Sequence, residues 1–348
     1  MTMDNPRWVR RPEGANWGEF SPDDQLGRLN LITAEKVLQG VAEVREGRVF
    51  SLSLPLDYPG GNALNPRRHP PVLRPTLRDG NPNYNCVVGD NSDVVCDDLA
   101  IIHLQYSTQW DALCHVGSQF DADGDGVPEK VYYNGFRGGE DIVGPAALED
   151  CGPGGGSATG STSAARKLGI EGMAAHGVQG RGVMIDLRAH FGDARRLVTY
   201  ADIAAVMEAD AVTVEPGDMV CLHTGFAQRV LEMKGAPDPD LLHDMCAALD
   251  GRDQALLDWV SASGLSVLIA DNYAVEGLPA NESHPGCARM PLHEHCLFKN
   301  GIHLGELWHL TPLAEWLRAA GRSRFLLTAP PLRLPGAVGS PANPIATV

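Results

Sequence analysis

Gln105-Tyr106-Ser107-Thr108-Gln109-Trp110-Asp111-Ala112-Leu113-Cys114-His115 follows directly on a run of β-branched and apolar residues ending at Ile102. On an extended strand, residues two apart project from the same face. The spacing therefore predicts that Gln105, Ser107, Gln109 and Asp111 line one face, with His115 a short step beyond. Unpaired polar groups are costly in a core, so a polar row leaving a buried strand points to a site. The same spacing also fits a strand end whose polar residues simply face solvent.

Working outward, the 348-residue chain has 43% apolar and 21% charged residues, the composition of a globular protein with a sizeable core. Its formal net charge of −16 argues against nucleic acid, which needs a basic footprint, and against an anionic membrane surface. No apolar run approaches the length of a membrane span, and the opening Met1-Thr2-Met3-Asp4-Asn5-Pro6 is not a leader peptide. The eight cysteines are scattered without a Cys-x-x-Cys pair, which predicts reduced, mostly buried thiols and a cytoplasmic location.

The rest of the pattern alternates strands with helices. Thr33 is placed to cap a helix that begins at Ala34, and Arg48–Leu54 alternates as a half-buried strand does. Asn62–Asn85 reads as a long loop, and Val94–Tyr106 as a strand or strand pair leading into the polar row. Apolar runs follow at Gly182–Leu187, Asp218–His223, Leu265–Ala270 and Arg324–Thr328. Helical stretches are expected at Tyr200–Ala209, Leu241–Ala248, Gln254–Ala262 and Leu313–Ala320. Interleaved strands and helices favour an α/β architecture. Gly152–Thr162 is Gly/Ser-rich but lacks the Gly-Lys-Ser/Thr ending of a phosphate loop, and reads as a flexible surface loop. No linker justifies cutting the chain, so a single domain spanning 1–348 is expected.

A second polar cluster runs from His284 through His293, Glu294 and His295 to His303 and Glu306. Pro291 suits the first turn of a helix and Gly301 the position just past its end. His293 and His295 cannot share a helix face, so at most one points into a given site. Histidine with carboxylates, Asp111 brought near by folding, is ligand chemistry for Zn²⁺ or Mn²⁺. Most of the seven histidines outside the two clusters, at 69, 103, 176, 190, 223, 243 and 309, are read as structural.

These residues resemble the cyclase family of hydrolases, which includes bacterial kynurenine formamidase and isatin hydrolase. The family motif His-x-Gly-Thr-His-x-Asp-x-Pro-x-His places Thr108, Asp111 and His115 at matching positions. Longer members read Thr-His-x-Asp-Ala-Leu-x-His and then Tyr-Asn-Gly, which fits Asp111–His115 and Tyr133-Asn134-Gly135. Trp17-Gly18, His176-Gly177, Gly217-Asp218, His223-Thr224-Gly225, Asp271-Asn272 with Glu276, and the ending Gly339-Ser340-Pro341 follow in the family's order. The resemblance implies a swivelling β/β/α fold, a homo-oligomer, and Asp111, His293 and Glu306 as metal ligands.

The departures fall on the metal. Both opening histidines of the motif are glutamines here, Gln105 and Gln109, while Ser107 replaces its glycine and Leu113 its proline. An amide oxygen is a weaker ligand for Zn²⁺ than imidazole. A weaker, Mn²⁺-like site and a site that has lost its metal both remain open. With a metal, His115 would shuttle protons beside a polarised carbonyl. Without one, His115 and Asp111 would activate water while Gln105 and Gln109 donate to the oxyanion. Cys114, next to His115, reads as a buried thiol rather than a nucleophile.

The resulting expectation is a hydrolase that cleaves a formamide, cyclic amide or lactone in a small, aromatic or cyclic substrate. The catalytic set is His115, Asp111, Gln105 and Gln109, with Trp110, Tyr106, Phe120 and Tyr133 as candidate pocket walls. The alternatives are a metal-free hydrolase or lyase on the same scaffold and a non-catalytic binding protein. Asp121-Ala122-Asp123-Gly124-Asp125-Gly126 resembles the start of a calcium loop, but Tyr132 holds the twelfth position where Glu is required, so it reads as a solvated acidic turn.

Overall fold

The apolar runs become the centre of a mixed nine-stranded sheet. The structure is a computed structural model that describes residues 7–154, 160–278, 280 and 286–348. In chain order the sheet's strands are β1 (Val49–Ser51), β2 (Gln109–Asp111), β3 (Gln179–Asp186), β4 (Met219–His223), β5 (Val267–Ala270), β6 (His303–Glu306), β7 (Arg324–Thr328), β8 (Gly339–Pro341) and β9 (Ile345–Thr347). They lie in the order β1-β9-β7-β3-β4-β5-β6-β2-β8. The steps from β3 through β6 are parallel, and the flanking pairs are antiparallel. Every residue of β4, β5 and β6 is buried, which is why these strands read as unbroken runs rather than alternating ones.

Helices cover the sheet where their signals predict. Ala34–Val41 starts at Thr33, whose side chain accepts from the Lys36 N–H. Tyr200–Ala209 begins with a complete capping box between Thr199 and Asp202. Gln254–Ala262 buries Leu256 and Val260, and Thr311–Ala319 buries Leu313, Ala314 and Leu317. The cysteines form no disulfide among the described residues, but only Cys114, Cys221, Cys246 and Cys296 are buried; Cys86 and Cys287 are half-buried and Cys96 and Cys151 exposed, so the expectation of mostly buried thiols is corrected to half of them. Among the described residues no helix is long and apolar enough to cross a membrane.

Several expectations are corrected. Leu241–Ala248 is not one helix: Pro239–His243 is helical, Cys246 turns the chain at φ +60°, and Ala247–Leu249 pairs with Arg196–Val198 as a strand. Asn62–Asn85 is not all loop, because Val72–Pro75 pairs with Asp98–Ile101 and Leu77–Arg78 pairs with Asn81–Pro82. Val94–Tyr106 accordingly never enters the main sheet. Its strands belong to an exposed arm, in which Leu73, Leu77, Tyr84, Val87, Val94 and Leu99 all face outward. The polar row is therefore not the continuation of a buried strand. Residues 155–159 of the Gly/Ser-rich segment, and His284, lie outside the described residues.

Candidate metal centre and active site

The site is a consequence of register. β2 lies antiparallel between β6 and β8, with Glu306 opposite Gln109, Leu304 opposite Asp111 and Gly339 opposite Asp111. Gln109, Asp111 and Glu306 thus share one face of the sheet. Trp110, between them in sequence, turns to the other face, where it meets Trp308 edge-on at 5.0 Å and donates to the Ala329 carbonyl at 2.8 Å. His303 Nδ1 donates to the Asp111 carbonyl at 3.0 Å and fixes the strand from the β6 side.

His293 reaches the same place from a helix. Pro291–His293 forms a short turn with Pro291 in its first position, and a π-helix, Glu294–Lys299, continues it. Its exit is pinned by two glycines: a Cβ on Gly27 would lie 2.0 Å from the Gly301 carbonyl oxygen, and Gly301 itself has φ +59°. Only residues without a side chain permit that crossing. Glu276 holds the start of the helix and the ring together. One of its oxygens accepts from the Leu292 N–H at 3.1 Å, and the other from the His293 N–H at 2.9 Å and Nδ1 at 2.8 Å. That leaves His293 Nε2 facing Glu306 Oε1 at 3.2 Å. His295 points elsewhere, with Nε2 at 2.8 Å from Ser261 Oγ.

Donor atoms of Asp111, His293 and Glu306 lie within 4.8 Å of one another, and all three residues are buried. Gln109 Nε2 donates to Glu306 Oε2 at 3.0 Å and to Asp111 Oδ1 at 3.3 Å. Asp111 Oδ2 and Gln109 Oε1 are buried acceptors without a hydrogen-bond partner. Burial and the nearby Asp111 charge raise the Glu306 pKa despite His293. Burial alone would lower His293, but its hydrogen bonds to Glu276 and Glu306 prevail and raise it. Two clustered carboxylates, an imidazole and an orphaned amide oxygen fit a divalent cation, and the excess of oxygen over nitrogen donors favours a harder ion than Zn²⁺.

Of these groups His293 and Glu306 line a cavity of about 820 Å³, with Asp111 and Gln109 set directly behind them. His115 stands on its wall with Nε2 3.8 Å from Asp111 Oδ1, and burial lowers its pKa, so the ring is neutral and able to accept a proton at neutral pH. Gln105 also lines the cavity, and its Nε2 is buried without a partner. It reaches the site from a turn, not from the strand that the spacing predicted, since β2 starts only at Gln109. Ser107 leaves the row altogether and donates to the Pro55 carbonyl.

Of the four aromatic candidates only Tyr106 lines the cavity. Phe120 packs with Trp17 and Phe298, and the buried Tyr133 directs its hydroxyl to Asp24 at 3.4 Å. Cys114 is buried, and burial pushes its thiol up to about 12. It sits in a turn, so the strand-alternation reasoning does not apply, although its conclusion agrees with the burial. Three contributors were missed: Glu276 as the support of His293, and Arg68 and Tyr273 on the cavity wall. Glu276 was visible only as one residue in a matching order of segments. No local spacing ties it to His293.

The acidic turn does gather Asp121, Asp123 and Glu129. Its carboxylates are already engaged. Asp121 accepts from the Gly124 and Gly126 N–H groups and pairs with Arg10 at 3.0 Å, and Glu129 pairs with Arg137 at 3.2 Å.

Residues 50–277 match the family described as "Putative cyclase". The crystal structure of a novel cyclase is similar over 96% of this chain and 97% of its own, at 29% identity and a TM-score of 0.74. Isatin hydrolase A from Ralstonia solanacearum is similar in fold at 14% identity, covering 86% of this chain and 91% of its own, with a TM-score of 0.53. Isatin hydrolase A from Labrenzia aggregata, bound to benzyl benzoate, gives the same identity and TM-score over 90% and 97%. No curated protein matches the sequence. The family match spans well over half of the chain and the fold agrees with it nearly end to end: this protein belongs to the cyclase family.

Proposed function

We propose that the chain is a hydrolase that cleaves a C–N amide bond (formamide or cyclic amide) or a lactone C–O bond in a small, aromatic or cyclic substrate. The convergence of Asp111, His293 and Glu306 behind and along the wall of a cavity that His115 also lines carries this reading. Asp111, His293, Glu306 and, through its oxygen, Gln109 are the residues that would hold a divalent cation. When bound, such a cation polarises a carbonyl and lowers the pKa of water to about 7.

The chain's own groups supply the proton chemistry. Neutral His115 takes a proton from the attacking water as its oxygen bonds to the carbonyl carbon. It then returns that proton to the departing nitrogen or oxygen as the C–N or C–O bond breaks. Gln105 Nε2, an unpaired buried donor beside the cavity, offers a hydrogen bond to the carbonyl oxygen as charge grows on it. Glu276 acts at one remove by fixing the ring of His293.

The test is elemental analysis of the purified protein with a screen of formamides, cyclic amides and lactones before and after chelation. Turnover that is lost with the chelator and restored by Mn²⁺ supports the reading, and absence of turnover across the panel overturns it. A metal-free hydrolase has one observation in its favour: Gln109 Nε2 already satisfies an oxygen of each carboxylate. Turnover that resists chelation and disappears in His115→Ala would select it. We further propose that residues 1–348 act as one domain and assemble as a homo-oligomer, which light scattering would check.

A further inference from the structure

The chain carries 44 acidic and 28 basic side chains, yet the charge lining its large cavity is mostly positive. Arg67, Arg68 and Arg289 all border it, and Glu306 is the one carboxylate among the described residues that does. Arg67 and Arg289 are exposed at the mouth, whereas Arg68 is half-buried.

Arg68 combines shelter with a place on the cavity wall. Several sheltered arginines elsewhere in the fold meet carboxylates: Arg181 binds Asp218 and Glu215, Arg188 binds Asp193, and Arg322 binds Glu43. Arg28 lacks such a partner but spends both terminal nitrogens on the Val260 and Ser261 carbonyls at the end of a helix. Arg68 makes one hydrogen bond, from Nη1 to the Gln105 carbonyl at 2.6 Å. Among the described residues no carboxylate lies within ion-pair distance of it. A guanidinium has five N–H donors in a flat fork that matches a carboxylate. The bond to Gln105 also fixes Arg68 beside the residue whose amide borders the reacting end of the cavity.

We propose that Arg68 anchors a permanent carboxylate on the substrate, with Arg289 assisting at the mouth, so that the substrates are amides or lactones that already bear an anionic group. The proposal rests on the hydrolytic reading above for the word substrate, but the anchor itself binds without turnover. Hydrolysis creates a new carboxylate as well, and a group present from the start separates the two cases.

The experiment uses the full chain and has two arms. In the first, phthalate and its neutral diamide are titrated calorimetrically against wild type, Arg68→Gln, Arg68→Lys and Arg289→Gln. Phthalate should bind preferentially to wild type, and Arg68→Gln should weaken it by roughly ten- to a hundredfold. Arg68→Lys should retain part of the affinity. Among the described residues Arg289 has no hydrogen-bond or ion-pair partner, so Arg289→Gln tests the positive mouth without threatening the fold. It should weaken phthalate by a smaller factor. In the second arm, aryl formamides and lactones are compared as free acids and methyl esters. The acid should show the lower KM at similar kcat, and Arg68→Gln should erase that difference. Equal binding of phthalate and diamide by wild type, or a preference that survives in Arg68→Gln, overturns the anchor. Arg68-dependent phthalate binding with no turnover on any compound keeps the anchor and overturns the hydrolytic reading. Turnover that treats acid and ester alike overturns the anchor alone.

Discussion

Gln109 and Glu306 face each other across the β2–β6 ladder, and the amide nitrogen of the first donates to the carboxylate of the second at 3.0 Å. The same nitrogen reaches Asp111 at 3.3 Å, so one neutral side chain sits between two buried acids. A side-chain amide offers an N–H donor and, on a separate atom, a cation-ligating oxygen from one position. That dual character lets the sheet hold its carboxylates together whether or not a cation lies among them.

Gln109→Leu removes the donor and leaves both carboxylates short of a partner. Unfolding in denaturant should show a loss of about 1–3 kcal/mol, the cost of unsatisfied buried acceptors. Added Mn²⁺ should recover part of it. A variant as stable as wild type would show that the amide carries none of this burden.

Glu276→Gln weakens the grip on His293 Nδ1 without changing side-chain length. Support of this kind is worth roughly ten- to a hundredfold in metal affinity, so Mn²⁺ titrated by electron spin resonance should bind correspondingly more weakly. Unchanged affinity would remove Glu276 from the site.

Asp186 gives a pH signature away from the site. Burial opposes its ionisation, but hydrogen bonds from His223 at 2.7 Å and Arg318 at 2.9 Å prevail and lower its pKa to about 2. The folded value lies below the unfolded one, so the unfolded chain binds more protons between them and stability rises with pH there. The contribution is complete above about pH 4 and is lost as pH falls through about 2. With allowance for solvent screening it amounts to about 1–2 kcal/mol. Asp186→Asn should flatten that part of the acid-unfolding curve.

Calcium should leave the melting temperature unchanged at concentrations up to about a millimolar, the range of weak extracellular sites. Asp121 and Glu129 are already neutralised by Arg10 and Arg137. A rise that Asp121→Asn abolishes would turn the acidic turn into a calcium site.

The elements legible in the sequence are those whose neighbours in space are also close along the chain, or whose burial is complete. β4 and β5 announce themselves as runs such as Met219–Leu222 and Val267–Ala270, and Thr199 and Thr33 mark their helices with capping side chains. Leu241–Ala248 misled because its helical composition is interrupted at Cys246, whose left-handed conformation and strand pairing are tertiary effects. Asp111, His293 and Glu306 were found through the family order, and the alternation that placed Gln109 and Asp111 on one face also put Trp110 on the other. Applied consistently, that rule would have removed Trp110 from the pocket walls. Glu276 and Arg68 could not be found this way, because their importance lies in partners 17 and 37 positions distant.

The arm from Val72 to Ile101 shares no ladder with the nine-stranded sheet and contributes only the buried Asn83 to the interior. Its sequence is therefore under little constraint from folding, while its two ends run into the separate segments that carry Arg68 and Gln105 to the cavity. Insertions, deletions and exchanges of side chain in the arm leave the nine-stranded sheet, and the two acids it carries, untouched.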